Sequence, residues 1–358
     1  SEKLASISPG NLRRTWPVSG GSEANETALK IAKSYQKRVG EKGRYKVISR
    51  KGSYHGATGG VMWLGGGGST RSDYEPVMPG MVYAPQPNTY RCEFGGQTPD
   101  ECAALCAQSI EDLILFHGPD TVAALIAEPV SASSLAAVPG DPYWPMIREI
   151  CTRYGVLLIA DEIITGFGRT GKMFAVEHWE VVPDLMTVAK GITSSYLPLA
   201  ATICTNHVAD AFAGEQNIFR QALTFGGHPV CASAALSNIE IIESEQLVKN
   251  SAVMGEYFLN KLKEMKEIHP IIGDVRGLGL LLGIEIVKDR KTKENFSTDS
   301  GIAEMLNKAF RSHGLILFAS DKGVSIGPPL CIQKNEVDFI SEAISKSIAS
   351  AEEEFSSF

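Results

Sequence analysis

The sequence predicts an α/β protein, with a large domain built on a mostly parallel sheet and a small α+β domain behind it. Three observations carry that expectation. Residues 156–160 (VLLIA) form a wholly apolar run, bounded by Gly155 and ended by Asp161 and Glu162. Such a run is the signature of a central parallel strand buried on both faces. Residues 185–189 (LMTVA) form a second short run and end in Lys190, with Gly191 behind it. From about Ser251 the composition changes to charged amphipathic helices alternating with short strands. The division expected is therefore 1–250 and 251–358.

The other elements follow in order. Residues 1–7 begin with a fragment of amphipathic helix, and 12–18 (LRRTWPV) read as a strand running into Ser19-Gly20-Gly21-Ser22. A helix comes next, with Ala24, Ala28, Ile31, Ala32, Tyr35 and Val39 on one face and Gly40 as its stop. A strand, a glycine turn and a small hydroxyl residue at a helix start make an anion site, because free amide N–H groups and the helix dipole point at the turn. A simple N-cap fits the same residues. A strand over 46–49 leads to Gly52-Ser53-Tyr54-His55-Gly56, where an aromatic ring at a strand end can stack on a flat heterocycle. Glycines 65–68 read as a mobile loop, and 74–98, rich in Pro and Gly, as irregular structure. Further on, helices are expected over 99–116 and 143–154, from about 229, and over 334–354. Strands are expected over 122–127, 199–205, 314–318 and 323–326.

Asp161 and Lys190 stand at the carboxyl ends of two buried strands, the edge where open α/β sheets hold their ligands. A lysine desolvated there becomes a nucleophile towards carbonyls, and a carboxylate beside it can keep a heterocyclic nitrogen protonated. A Schiff-base lysine and an acid on a pyridinium nitrogen are the working pair of pyridoxal-phosphate enzymes. In isolation the two residues would also fit a surface lysine and a turn.

The pair is not isolated. ADEIITGFGRTG (160–171) followed by PDLMTVAKG (183–191) resembles the class III, or ω-aminotransferase, group of fold-type I pyridoxal-phosphate enzymes. SGGSEAN (19–25) is similar to the family's phosphate cup, although Ser19 stands where many members have asparagine. AEPV (127–130) is also the family's wording, but SASSLAAVPG follows it where most members have glycines. The resemblance implies a sheet of the seven-stranded type and pyridoxal 5'-phosphate as cofactor. It places Gly21 and Ser22 on the phosphate, Tyr54 on one ring face with His55 alongside, and Ile163 on the other face. Glu128 falls near the phenolic oxygen, Asp161 on the ring nitrogen and Lys190 on the aldehyde carbon. Thr224 matches a threonine that reaches the phosphate of a neighbouring subunit, which implies a homodimer or a dimer of dimers.

The activity implied is transfer of an amino group from a primary amine or ω-amino acid to a 2-oxo acid in two half-reactions. Another class III reaction (aminomutase, epimerase or decarboxylase) uses the same cofactor residues. Family members carry roughly a small domain's worth of chain upstream of a segment like SEKLASISPGNLRR, so an inactive truncated relative is a further alternative. Many members also carry a mobile arginine before a P-P-L segment. Here that segment is 328–330, and the same register gives Phe318, with no arginine between. An apolar or aryl amine suits that position.

Composition excludes several other classes. Thirty-four basic residues stand against 41 acidic ones, for a net charge of −7, which suits no nucleic-acid partner. No apolar run is long enough to cross a bilayer, so no membrane role is expected. Glycines 277, 279 and 283 are one residue too widely spaced for a dinucleotide fingerprint, and GFGRTG reads as a structural turn. Seven irregularly spaced cysteines suit free thiols in a reduced, cytoplasmic setting. Cys102 and Cys106, one helical turn apart with Cys92 upstream, read as buried apolar residues. No metal site is assigned.

Overall fold

The computed structural model describes residues 1–65 and 71–356, which fall into two compact units. The first comprises Ser1–Pro129, Pro139–Phe167 and Lys172–Glu245. The second begins at Gln246 and also takes in Val130–Val138 and Gly168–Gly171, two short segments that the sequence reading had counted within 1–250.

In the first unit the elements run α1 (Glu2–Ile7), β1 (Leu12–Val18), α2 (Gly21–Arg38), β2 (Lys46–Arg50), β3 (Met81–Ala84), α3 (Pro99–His117), β4 (Val122–Ala127), α4 (Tyr143–Tyr154), β5 (Leu157–Asp161), β6 (Leu185–Val188), β7 (Ala200–Thr205), α5 (Asn206–Asp210) and α6 (Pro229–Ser244). The seven strands form one sheet in the order β1-β7-β6-β5-β4-β2-β3. Only β7 runs against its neighbours, and β5 occupies the centre. β4, β5 and β6 are buried along their whole length, as runs without polar alternation require. The apolar face of α2 supplies part of their cover, with Ala28, Ile31, Ala32 and Tyr35 packed in one core with Val47, Ala124, Ile126, Ile159 and Leu185. Gly155 sits at φ 64°, ψ 26°, the left-handed cap that turns α4 back into β5.

Two expectations about strands need correction. β3 lies inside the stretch read as irregular, pairing in parallel with β2 from Val47↔Met81 to Arg50↔Ala84. Pro79-Gly80 and Pro85 flank it, so only four residues remain for the ladder. An edge position tolerates such neighbours. Conversely, 314–318 form no strand. Their apolar run is strand-like, but on this side the hairpin partner, only four residues long, pairs with 319–320 and no further. Of the glycine run 65–68, all but Gly65 lies outside the described residues.

The second unit is built on an antiparallel sheet of β8 (Ile272–Leu278), β9 (Leu281–Ile286), β10 (Ala319–Ser320) and β11 (Gly323–Ile326), in the order β10-β11-β9-β8. Three helices, α7 (Leu247–Ile268), α8 (Ile302–Ser312) and α9 (Lys334–Ser356), bury Phe258, Leu262, Leu306, Phe310, Ile344 and Ile348 with Ile284 and Ile286. Among the described residues no helix is long and apolar enough to cross a membrane.

Candidate active site

Because β1, β2, β4, β5 and β6 all run the same way, their carboxyl ends meet along one edge of the sheet. There the chain sets down Ser19, Arg50, Glu128, Asp161 and Lys190 in turn. Asp161, the last residue of the central strand, is only 4% exposed. Its Oδ2 accepts hydrogen bonds from Asn25 Nδ2 and from His55 Nδ1, each at 2.7 Å, and Oδ1 accepts the Ile163 backbone N–H at 3.1 Å. Since a carboxylate can only accept, the His55 proton lies on Nδ1.

Nε2 of His55 is buried without a hydrogen-bond partner, 3.9 Å from a carboxylate oxygen of Glu128. Burial works against a charge on this ring, but Glu128 and Asp161 outweigh it and raise the histidine above its ordinary pKa. Glu128 is desolvated too, yet His55 and Arg50 hold it below the usual carboxylate range. Arg50 donates to its Oε2 at 2.8 Å, and the Tyr54 backbone N–H donates to Oε1 at 3.2 Å. The Tyr54 ring itself stays half exposed. Arg50, Glu128, His55 and Asp161 therefore form one buried cluster, tied by the Arg50–Glu128 and His55–Asp161 hydrogen bonds.

Lys190 follows β6 at φ 43°, a left-handed conformation rare for a side-chain-bearing residue. It keeps contact with solvent, but desolvation by the surrounding walls lowers its pKa from the usual lysine value, and the negative charge of Asp161 offsets this only in part. A larger fraction of neutral amine is the result.

At the start of α2 the first intrahelical bond is Ala24 N–H to Gly20 O, so the preceding N–H groups, including those of Gly21 and Ser22, have no helical acceptor. A Cβ on Gly21 would meet Ile163 Cδ1 at 3.0 Å, which keeps the helix start close to the Ile163 side chain. Ser22 Oγ accepts the Ala57 N–H at 3.1 Å, and Gly56, at φ +132°, leaves room for that hydroxyl. Ser19 does not face this turn with its own backbone N–H, which is bound to Glu23.

The structure thus brings Asp161, His55 and Glu128 into one connected set, with Gly21 and Ile163 in contact range of each other. Thr224 is exposed on the segment before α6 and touches none of these groups through a hydrogen bond in this chain. Sequence reasoning passed over Asn25, Thr187 and Arg50. Asn25 is fully buried, donates to Asp161 and to the His55 carbonyl, and accepts the Thr187 hydroxyl at 2.8 Å. A polar residue beside the apolar face of α2 was the signal available. Glu162 was likewise missed. Burial pushes its pKa up to about 7, and it braces the following turn by accepting the Val176 N–H.

The site thus offers an acid fixed from three sides, an amine of lowered pKa that can attack a carbonyl, and a helix start whose free N–H groups can receive an anion. Comparison with known proteins decides the family. The class III aminotransferase family model matches residues 1–348. The chain belongs to the class III aminotransferases. Among curated relatives of this aminotransferase, the putrescine–pyruvate aminotransferase of Pseudomonas aeruginosa is 36% identical over 339 residues, which cover 94% of this chain and 74% of the relative. A thermostable (S)-enantioselective ω-transaminase from Thermomicrobium roseum superposes with a TM-score of 0.94 at 38% identity, covering 98% of this chain and 78% of that one. An amine transaminase from an uncultivated Pseudomonas species, solved in its pyridoxal phosphate-bound form, gives 0.91 at 36% identity, with 94% and 76% covered.

Proposed function

We propose that this aminotransferase uses pyridoxal 5'-phosphate and moves an amino group from a primary amine or ω-amino acid to a 2-oxo acid in two half-reactions. The observation that carries the reading is Asp161, fixed by Asn25, His55 and the Ile163 N–H on the strand next to the one that delivers Lys190. The residues present fit the cofactor. Asp161 answers a protonated ring nitrogen, Gly21 and Ser22 offer N–H groups to a phosphate, and Tyr54 and Ile163 offer apolar area to the two ring faces. His55 lies alongside, and Glu128 on the phenolic side. When bound, the cofactor supplies an aldehyde that condenses with amines and a ring that accepts the electrons left when a substrate carbon loses its proton. Lys190 Nζ would take that proton and return it to the carbon on the far side of the amine nitrogen, acting as base and acid in turn. Its lowered pKa favours the neutral form that the first step needs.

The relative that accepts pyruvate supports a 2-oxo acid acceptor here. Reduction with borohydride tests the reading: the purified protein should lose a visible absorption band, and the label should map to Lys190. A label on another lysine would overturn it. Seven free thiols among the described residues suit a reduced, cytoplasmic setting.

Thr224, exposed and outside the network of this chain, fits a role across a dimer, where it would reach a partner's phosphate. Thr224→Ala should weaken cofactor retention by about 1–3 kcal/mol, the worth of a charge-assisted hydrogen bond. Equilibrium dialysis of the cofactor reads this out. A monomer with full cofactor affinity in sedimentation would contradict the dimer.

Phe318, 70% exposed, offers a ring and no charge. The wild type should therefore favour hydrophobic primary amines, and Phe318→Arg should shift preference towards carboxylate-bearing substrates. A donor and acceptor panel on both proteins checks this. Dominant activity of the wild type on dicarboxylic substrates would remove the Phe318 argument.

A further inference from the structure

We propose that Cys92, Cys102 and Cys106 form a site for one thiophilic d10 metal ion, Zn2+ or Cu+, on the β3 side of the sheet. Their spacing in sequence suggested only buried apolar residues, and the fold changes that reading. α3 starts with a capping box in which the Thr98 hydroxyl accepts the Glu101 N–H and the Glu101 carboxylate accepts the Thr98 N–H. The preceding loop doubles back over this first turn. The Gly95 N–H donates to the Cys92 carbonyl at 3.1 Å, and Gly96 lies so close that a Cβ there would meet the Cys102 nitrogen at 2.7 Å. Cys92 is thereby carried onto the helix face that presents Cys102 and Cys106, residues one turn apart and 1% and 0% exposed. The three Sγ atoms all lie within 4.8 Å of one another. A metal holding thiolates at about 2.3 Å sets them roughly 3.8–4.0 Å apart, so small side-chain rotations complete the geometry.

The surroundings also suit metal-bound sulfur. The backbone N–H groups of Phe94 and Gly96 are directed at the Cys92 sulfur. The Thr89 side chain is likewise directed at the Cys102 sulfur. Donors of this kind hold metal-bound thiolates in place. A disulfide within α3 suits the residues less well, since helical partners four apart hold their Cβ atoms about 5–6 Å apart and a disulfide needs about 3.5–4.5 Å. Binding displaces three thiol protons to solvent. Copper(I) is satisfied by three sulfurs. Zinc takes a water as fourth ligand on the side where Cys92 is only half buried.

The test uses the cofactor-loaded enzyme, stripped of metal under reductant. Co2+ serves as the optical probe, read as a difference spectrum, followed by Zn2+ displacement and a separate Cu+ competition with a chromogenic chelator. Cobalt–thiolate absorption should saturate at one ion per chain, and the competing ion that binds more tightly identifies the metal. Cys92→Ser, on the loop, and Cys106→Ser should each lose at least about tenfold in affinity, no less than an outer-shell partner is worth. Exposed Cys331→Ser serves as the unchanged control. If a helix variant fails to fold, Cys92→Ser alone decides. Substoichiometric binding by the wild type, affinity unaltered in Cys92→Ser, or recovery of a Cys92–Cys102 disulfide in its place would each overturn the site.

Discussion

Lys190→Ala is expected to abolish turnover, with kcat falling by more than about 10^4-fold. That is the upper range for losing a general acid–base group alone, or about 5 kcal/mol of barrier, and here the covalent anchor is lost as well. The effect should not come from unfolding. Lys190 contributes no side chain to the apolar clusters, and its left-handed backbone is a strain the native fold already carries. Thermal melting of Lys190→Ala beside Lys190→Gln, which keeps most of the volume, separates the two causes. Both variants should melt close to the wild type while neither turns over an amine with a 2-oxo acid. Because the N–H groups at the start of α2 are untouched, cofactor should still bind, now removable by dialysis. Turnover by Lys190→Ala within tenfold of the wild type would show that another group moves the proton.

What the sequence disclosed about this site follows from its physics. The runs at 156–160 and 185–189, which correspond to β5 and β6, were legible because strands covered on both faces carry no polar alternation, and their carboxyl ends then fix where Asp161 and Lys190 emerge. α2 was legible from the 3.6-residue spacing of Ala28, Ile31, Ala32 and Tyr35. β3 was not, since proline and glycine on both sides punctuate a four-residue edge strand as they would a loop. The braces of Asp161 and Glu128 were hidden for a different reason. Asn25, 136 positions away, and Arg50, 78 positions from Glu128, become meaningful only once the sheet brings their strands and helix together. The same holds for the cysteines, where a loop reversal at Gly95 and Gly96 brings Cys92 back onto α3. Side chains that merely fill space announce themselves by period. Polar groups that satisfy one another across the fold do not.

Asp161→Asn should cost about 10^2–10^3-fold in kcat, the range found when one preorganised electrostatic partner of a reacting group is removed. The neutral amide cannot balance a protonated ring nitrogen, so proton removal from the substrate carbon slows while the phosphate and ring-face contacts keep the cofactor bound. A structural effect accompanies this. Asp161 accepts from Asn25, His55 and the Ile163 N–H at once. An amide offers one oxygen for those three donors and turns its own N–H groups towards the rest, leaving a buried donor unpaired at about 1–3 kcal/mol of stability. The two contributions separate by measurement. The stability loss appears in denaturant melts of the protein, whereas the catalytic loss appears in single-turnover rates of the cofactor-saturated variant at a temperature where it is fully folded. Asn25→Ala provides the comparison. It removes one brace while leaving the carboxylate in place, so it should lose stability of the same order but much less of the rate. If Asp161→Asn kept a near-normal single-turnover rate, or if Asn25→Ala lost as much, the acid would be a structural anchor for His55 and Asn25 and not the partner of the ring nitrogen.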